Sequence, residues 1–117
     1  MSKTCMNNKS KTKQLDAAEA FRLSSLVEIA PESIVSRVLA RTDGGSLTLF
    51  AFAEGQELSE HTAPFDALVQ LVEGSLDLVI GGETVHVSRG EIVLMPADVP
   101  HGLSAPEPAK MLLTMLK

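Results

Sequence analysis

The sequence predicts an all-β fold, a sandwich or a barrel, in a single domain. Short runs rich in β-branched and large apolar residues recur about every ten residues, which is the spacing of strands in such folds. Glycine and proline separate the runs and supply the turns between them. The chain has 117 residues, the length of one domain, and its 44% hydrophobic and 21% charged residues are ordinary for a globular protein.

The N-terminal segment is predicted to stand apart from the strands. Residues 1–14 are polar and basic and lack apolar periodicity, so we expect a disordered tail there and a single barrel domain over residues 15–117. At the start of the domain, Asp16 precedes Glu19 by three residues, which is the spacing of a capping box. This spacing predicts a short helix that ends before Pro31.

Turn residues delimit seven predicted strands. The RTDGG stretch joins the first two strands as a hairpin, because Asp and Gly tolerate the positive φ of a tight turn. Gly74 closes the third strand and Pro96 ends the sixth. The predicted strands are SIVSRVLA (33–40), SLTLFAF (46–52), LVQLV (68–72), LDLVI (76–80), ETVHV (83–87), EIVLM (91–95) and KMLLTML (110–116).

The Gly81-Gly82 pair predicts a two-residue hairpin and thereby fixes a register. Leu78 then lies across from Val85, on the apolar face of the pair. Side chains alternate along a strand, so the opposite face carries Asp77 directly across from His86. We therefore interpret His86 as a structural residue outside any site.

Two spaced motifs resemble those of the cupin family. The first reads G-x5-H-x-[H]-x3-[E]-x6-G and is matched by Gly55, His61 and Gly74; the second reads G-x5-P-x-G-x2-H-x3-N and is matched by Gly90, Pro96 and His101. Fifteen residues separate the motifs, and the resemblance covers about residues 33–117. The resemblance implies a cupin double-stranded β-helix, which is a jelly-roll barrel, of the small conserved-barrel kind.

The resemblance also implies a metal site inside the barrel, and this sequence departs from it. Cupins bind one divalent metal through two His and a Glu of the first motif and a His of the second. Here His61 and His101 remain, whereas Ala63 and Ala67 replace the other two ligands and cannot coordinate a metal. Two neutral imidazoles suit Zn, Ni, Fe or Cu. Catalytic zinc usually has three protein ligands, so an ion held by these two histidines alone is expected to bind weakly.

Other polar residues are candidates for the same site. Asp66 and Gln70 could complete a ligand set, although Asp66 has the opposite strand parity to Ala67 and would point inward only at a bulge. Asp98 is expected near the barrel mouth, either at the pocket rim or as a turn residue bonded to its own backbone. The EGQELSEH stretch around Glu57 is interpreted as a solvated loop.

Composition narrows the expected partners. The formal net charge is −5, and outside the tail six basic residues stand against fifteen acidic ones, a balance of −9. An acidic body repels DNA and anionic membranes, and with four Phe but no Trp or Tyr the chain has few stacking platforms for bases. The single cysteine, Cys5, and the lack of a long apolar run near the start fit a cytoplasmic protein. The apolar SIVSRVLA strand and the dimers common among small cupins lead us to expect a homodimer.

Three functional hypotheses remain open on the sequence. The barrel binds a small molecule around His61 and His101, with or without a weakly held metal. Alternatively, the chain is a metal-dependent isomerase or oxygenase that uses this reduced two-His ligand set. As a third alternative, the barrel is a structural domain with a closed core and no ligand. The fold alone does not choose among them.

Overall fold

Residues 14–117, the part of the chain described by the computed structural model, form an all-β fold, as the sequence predicted. A short 3-10 turn at Leu23–Ser25 precedes nine strands. The strands are β1 Ile34–Thr42, β2 Gly45–Phe52, β3 Glu57–His61, β4 Asp66–Glu73, β5 Ser75–Ile80, β6 Glu83–Ser88, β7 Ile92–Met95, β8 His101–Ser104 and β9 Ala109–Leu116.

The strands form two antiparallel sheets that enclose the core. The five-stranded sheet has the order β1-β2-β9-β4-β7, and the four-stranded sheet has the order β3-β8-β5-β6. Consecutive strands are often not neighbours, because the chain crosses between the sheets as a jelly roll does. The largest buried side chains on the inner faces are Phe52, Val69, Leu71, Leu76, Leu78, Val87 and Met111.

The predicted register of the β5–β6 hairpin is confirmed. Leu78 pairs with Val85 and Asp77 pairs with His86 across the Gly81-Gly82 turn. Leu78 is completely buried, whereas His86 is exposed on the outer face. The apolar alternation and the two-residue turn therefore sufficed to place every side chain of this hairpin on its correct face.

All seven predicted strands are present, but β3 and β8 were not predicted. The stretch interpreted as a solvated loop around Glu57 is strand β3, and Glu57 is exposed within it. Strand β8 has only four residues, so its sequence is too short to show an alternating pattern. These two strands carry His61 and His101 and pair with each other.

The predicted helix near Asp16 is wrong. Ala18 has a φ of +59°, which interrupts a right-handed helix, and the chain continues to the 3-10 turn without a helix. Instead, the N-terminal segment lies on the outer face of the five-stranded sheet. Leu15 donates its N–H to the Leu39 carbonyl at 2.9 Å, and Val27 is buried against this face. Packing against the sheet thus replaces local helix formation.

A half-buried lysine joins this N-terminal segment to the sheet. Lys110 of β9 donates from Nζ to the Ser24 carbonyl at 2.6 Å, and its side chain is only 13% exposed. Arg37 of β1 donates to the Leu26 carbonyl at 3.3 Å. Both cations therefore bind carbonyl oxygens at the end of the 3-10 turn. The segment covers the outer face of β1, which explains why SIVSRVLA is apolar on both faces.

The predicted disordered tail, residues 1–14, lies outside the described residues except for Gln14. The Gln14 side chain accepts a hydrogen bond from the Arg41 backbone N–H at 2.9 Å, which joins this residue to strand β1. Within residues 14–117, no helix is long and apolar enough to cross a membrane.

Candidate functional site

The two motif histidines meet at one end of the barrel. Strand β3 ends at His61, and the loop 62–65 then leads to β4; strand β7 ends at Met95, and the loop 96–100 then leads to His101 at the start of β8. His61 and His101 are direct partners in the β3–β8 ladder. A register shift between Leu58 and His61, as at a β-bulge, precedes this pairing.

The two imidazole rings are in edge-to-face contact. Their centroids lie 4.5 Å apart with an interplanar angle of 67°. His101 is 7% exposed and lies beside Ile80, its partner on β5, whereas His61 is exposed. The pair therefore spans from the barrel interior to solvent, as residues at the mouth of a binding site do.

Backbone carbonyls define the hydrogen positions of both rings. His61 Nδ1 lies 2.9 Å from the Ser59 carbonyl oxygen, and His101 Nδ1 lies 3.1 Å from the Val99 carbonyl oxygen. A carbonyl oxygen only accepts, so each Nδ1 carries the hydrogen. In each neutral ring the lone pair is then on Nε2. Both acceptors are backbone groups, which every residue has, so the sequence could not predict these hydrogen bonds.

The loops on either side of the histidines are joined to each other. The Asp98 N–H donates to the Ala63 carbonyl at 2.8 Å, which links loop 96–100 to loop 62–65. The Ala97 N–H donates to Oδ1 of Asp66 at 2.9 Å. The Pro100 carbonyl accepts from the N–H of Gly81, in the β5–β6 turn, at 2.9 Å. The loop that precedes His101 is therefore hydrogen-bonded to three other elements: loop 62–65, strand β4 and the β5–β6 turn.

The structure does not bring Asp66 and Gln70 to the histidine pair. Both residues are exposed on the outer side of β4, because the strand alternates regularly here and buries Ala67 and Val69 instead. The bulge of β4 lies further along, beyond Leu71, so no irregularity turns Asp66 inward. Gln70 lies away from the site. The Asp66 carboxylate binds the loop rather than the barrel interior.

Asp98 lies in the loop 96–100, at the mouth of the barrel. It is exposed and has a φ of +65°, which is a left-handed conformation that Asp tolerates better than most residues. The cupin motif has glycine at this position, and the positive φ explains why. Its role as a pocket-rim residue remains a prediction.

Ala67 occupies a buried position on the inner face of β4. It is 4% exposed and pairs with Met95 on one side and Met115 on the other. Both methionines pack in or against the main core, where their flexible side chains fill the space beside the alanine methyl group. Ala63 lies half-buried in loop 62–65. The two substituted motif positions thus carry small apolar groups at the histidine end of the barrel.

The histidine pair suits a divalent metal only in part. With ring centroids 4.5 Å apart, the two imidazoles are close enough to bind one ion, although this is also the separation of an ordinary edge-to-face ring contact. Nδ1–H donation to a carbonyl is also the usual arrangement of metal-binding histidines. However, no group of three His, Cys, Asp or Glu side chains within residues 14–117 is placed to hold an ion. Water or a bound molecule would have to complete the shell.

His86 lies outside this site, as predicted. Its Nδ1 donates to Oδ1 of Asp77 at 2.7 Å on the outer face of the four-stranded sheet. We expect His86→Ala to leave metal and ligand binding unchanged. The free energy of unfolding should change by no more than about 0.5–1 kcal/mol, because the pair is solvent-exposed. Calorimetric titration and urea denaturation measure both quantities; a complete loss of binding would show that the β5–β6 register is assigned to the wrong face.

Comparisons with known proteins agree with this architecture. A family model described as a cupin domain matches residues 48–115, more than half of the chain. A conserved protein of unknown function from Streptococcus pyogenes is similar over 95% of this chain and 97% of its own, with 33% identity and a TM-score of 0.85. No curated protein sequence matches significantly.

Two further solved structures resemble the chain. A cupin superfamily protein from Desulfitobacterium hafniense is 26% identical, covers 90% of this chain and 96% of its own, and has a TM-score of 0.83. A cupin 2 conserved barrel domain protein from Leptotrichia buccalis is 35% identical with a TM-score of 0.80; the match covers 83% of this chain and 47% of that one. Together with the jelly-roll topology and the spaced motifs, these matches show that the chain belongs to the cupin family.

Proposed function

We propose that this cupin binds a small molecule at the barrel mouth, with His61 and His101 as the polar centre of the site. The observation that carries the proposal is the hydrogen bonding of both Nδ1 atoms to backbone carbonyls. It leaves two Nε2 lone pairs on adjacent rings, one ring buried and one exposed. Two fixed acceptors beside the apolar residue Ile80 are the kind of lining that orients a small ligand.

The site offers two related chemistries. Without a metal, the two Nε2 atoms accept hydrogen bonds, so the ligand would carry hydroxyl or amine donors. With a divalent ion, the same two atoms would be its protein ligands, and the ion would supply Lewis acidity to a bound oxygen. Only two protein ligands hold such an ion, so we propose that it binds weakly and exchanges readily.

A metal-dependent enzyme is the second candidate. The carbonyl-bound Nδ1 atoms favour it, because they orient both rings as metal ligands are usually oriented. An ion with two protein ligands would also keep several positions open for substrate and water. The third alternative, a closed barrel, draws support from Met95 and Ala67, which are buried near the histidine end.

Titration of metal-free, untagged protein with Zn²⁺ or Ni²⁺ tests the metal-bound form of the proposal. We expect one ion per chain, bound with a dissociation constant of about 1–100 µM, which corresponds to roughly 5–8 kcal/mol. His61→Ala and His101→Ala should each weaken binding at least about tenfold, whereas His86→Ala is the matched control and should not. Binding that survives both substitutions would place the ion elsewhere. If the parent binds no ion, the metal-bound form and the metal-dependent enzyme are excluded. The remaining hypotheses are then a metal-free ligand site and a closed barrel.

We also propose that the protein is a cytoplasmic homodimer. The sequence suggested strand β1 as the dimer interface, but the structure favours another part of the same sheet. The outer face of β1 is covered by the N-terminal segment, whereas Ile92, Leu94 and Leu116 are 58%, 52% and 49% exposed on the outer face of the same sheet. These side chains would form the apolar centre of an interface with a second copy. Sedimentation velocity at micromolar concentration should show a dimer; a monomer alone would contradict this.

A further inference from the structure

We infer that Asp66 is a positioning residue for His101, which it controls through the loop 96–100. The inference rests on the proposed function of the histidine pair and adds a residue that does not touch it. Asp66 is exposed and points away from the barrel interior, yet its carboxylate binds the loop that ends at His101. Its role therefore concerns the orientation of the imidazole and not contact with a ligand.

All three backbone N–H groups of the loop are hydrogen-bonded. Pro96 and Pro100 have no N–H. The Val99 N–H donates within the loop to the Pro96 carbonyl at 3.4 Å, and the Asp98 N–H donates to the Ala63 carbonyl. The Ala97 N–H donates to Oδ1 of Asp66 at 2.9 Å, the one bond of the three whose acceptor is a side chain. It can therefore be removed by substitution without altering the backbone.

Asp66 is anchored on a strand that has partners on both sides. It opens β4, which lies between β9 and β7 in the five-stranded sheet. A hydrogen bond from this strand fixes the start of the loop relative to the sheet. Charged acceptors also make stronger hydrogen bonds than neutral ones. The Asp66 carboxylate thus attaches the start of this five-residue loop to a strand of the five-stranded sheet.

The loop in turn determines the His101 tautomer. The Val99 carbonyl, two residues after Ala97, accepts the Nδ1–H of His101 at 3.1 Å. If the loop shifts, this acceptor moves and the hydrogen is no longer held on Nδ1. Nε2 would then carry the hydrogen in part of the population, and its lone pair would be lost to a metal or ligand. Asp66 therefore favours the form of His101 that can bind.

Long-range ¹⁵N–¹H spectra of the metal-free protein at pH 8.5 test this inference, since they distinguish the two histidine tautomers directly. We expect Asp66→Ala to lower the ratio of the Nδ1–H to the Nε2–H form of His101 about three- to tenfold, the effect of one hydrogen bond on an equilibrium. Asp66→Asn keeps an oxygen acceptor, although an uncharged one, and should restore most of the parent ratio. Gln70→Ala changes another exposed residue on the same face of β4 and is the matched control.

The outcomes separate this inference from the proposed function. A parent ratio in Asp66→Ala, or a loss in Asp66→Asn equal to that in Asp66→Ala, would overturn the positioning role. A fall in the ratio with rescue by Asn supports it, even if the parent binds no Zn²⁺; that result would contradict the metal part of the proposed function alone. Denaturation midpoints of the variants within a few degrees of the parent will show that the change is local.

Discussion

Ala63→His combined with Ala67→Glu will raise the affinity for Zn²⁺ or Ni²⁺ at least about a hundredfold over that of the parent, corresponding to about 2.7 kcal/mol. The reason is the coordination number: the variant adds an imidazole and a carboxylate at the motif positions where the parent has methyl groups. The histidine pair already lies at the same end of the barrel as both alanines. Metal content per chain after extensive dialysis measures the result.

The same double variant will be less stable than the parent when metal is absent. Ala67 is 4% exposed and lies between two methionines, so a longer side chain there overpacks the core at a cost of about 1–3 kcal/mol. A buried carboxylate without its cation adds a further penalty. Ala63→His with Ala67→Gln is the matched control, because it introduces a similar volume without the charge. A double variant that folds but retains no more metal than the parent would show that positions 63 and 67 do not face the histidines.

Gly74→Ala will destabilise the fold far more than Gly90→Ala, although both glycines have positive φ. Gly74 lies between β4 and β5 at φ +68°, and a Cβ there would collide with the Pro108 carbonyl and lie 3.1 Å from Ala109 Cα. Gly90 has a φ of +88°, but a Cβ there has no atom within 4 Å. In both variants, holding alanine in the left-handed conformation destabilises the fold by about 1–2 kcal/mol. Only Gly74→Ala also has to displace the backbone at Pro108.

We expect a loss of about 1–2 kcal/mol for Gly90→Ala and of at least about 3–4 kcal/mol for Gly74→Ala, in urea denaturation. A Gly74→Ala protein that does not fold, beside a folded Gly90→Ala protein, agrees with this expectation. Equal losses in the two variants would contradict the close approach of the β4–β5 turn to the backbone before β9.

The sequence predicted those parts of the fold in which local patterns and tertiary packing agree. The β5–β6 hairpin is the best example, since its alternation and its Gly81-Gly82 turn both specify the same register. Strand β3 was missed because it is polar on both sides, with Leu58 as its half-buried apolar residue. The helix near Asp16 was predicted from a capping-box spacing, but contacts of the N-terminal segment with the sheet override that local preference.

The candidate site was only partly accessible to sequence analysis. Motif spacing brought His61 and His101 together although neither of their strands was predicted, because motif positions do not depend on strand patterns. Strand parity correctly suggested that Asp66 points outward. Its hydrogen bond to the Ala97 N–H depends on how two loops meet, and the carbonyl acceptors of the histidines are backbone groups that every residue possesses. Such features become visible only in three dimensions.

The most direct test of the central claim is a Zn²⁺ titration of ¹⁵N-labelled metal-free protein, followed in long-range ¹⁵N–¹H spectra of the three histidines. The proposed site predicts that His61 and His101 begin as Nδ1–H tautomers and that both Nε2 signals shift with one common midpoint. His86, which donates from Nδ1 to Asp77, should not change. If either ring of the pair keeps its hydrogen on Nε2, or if Zn²⁺ shifts only one of the two, His61 and His101 do not act together as one binding centre.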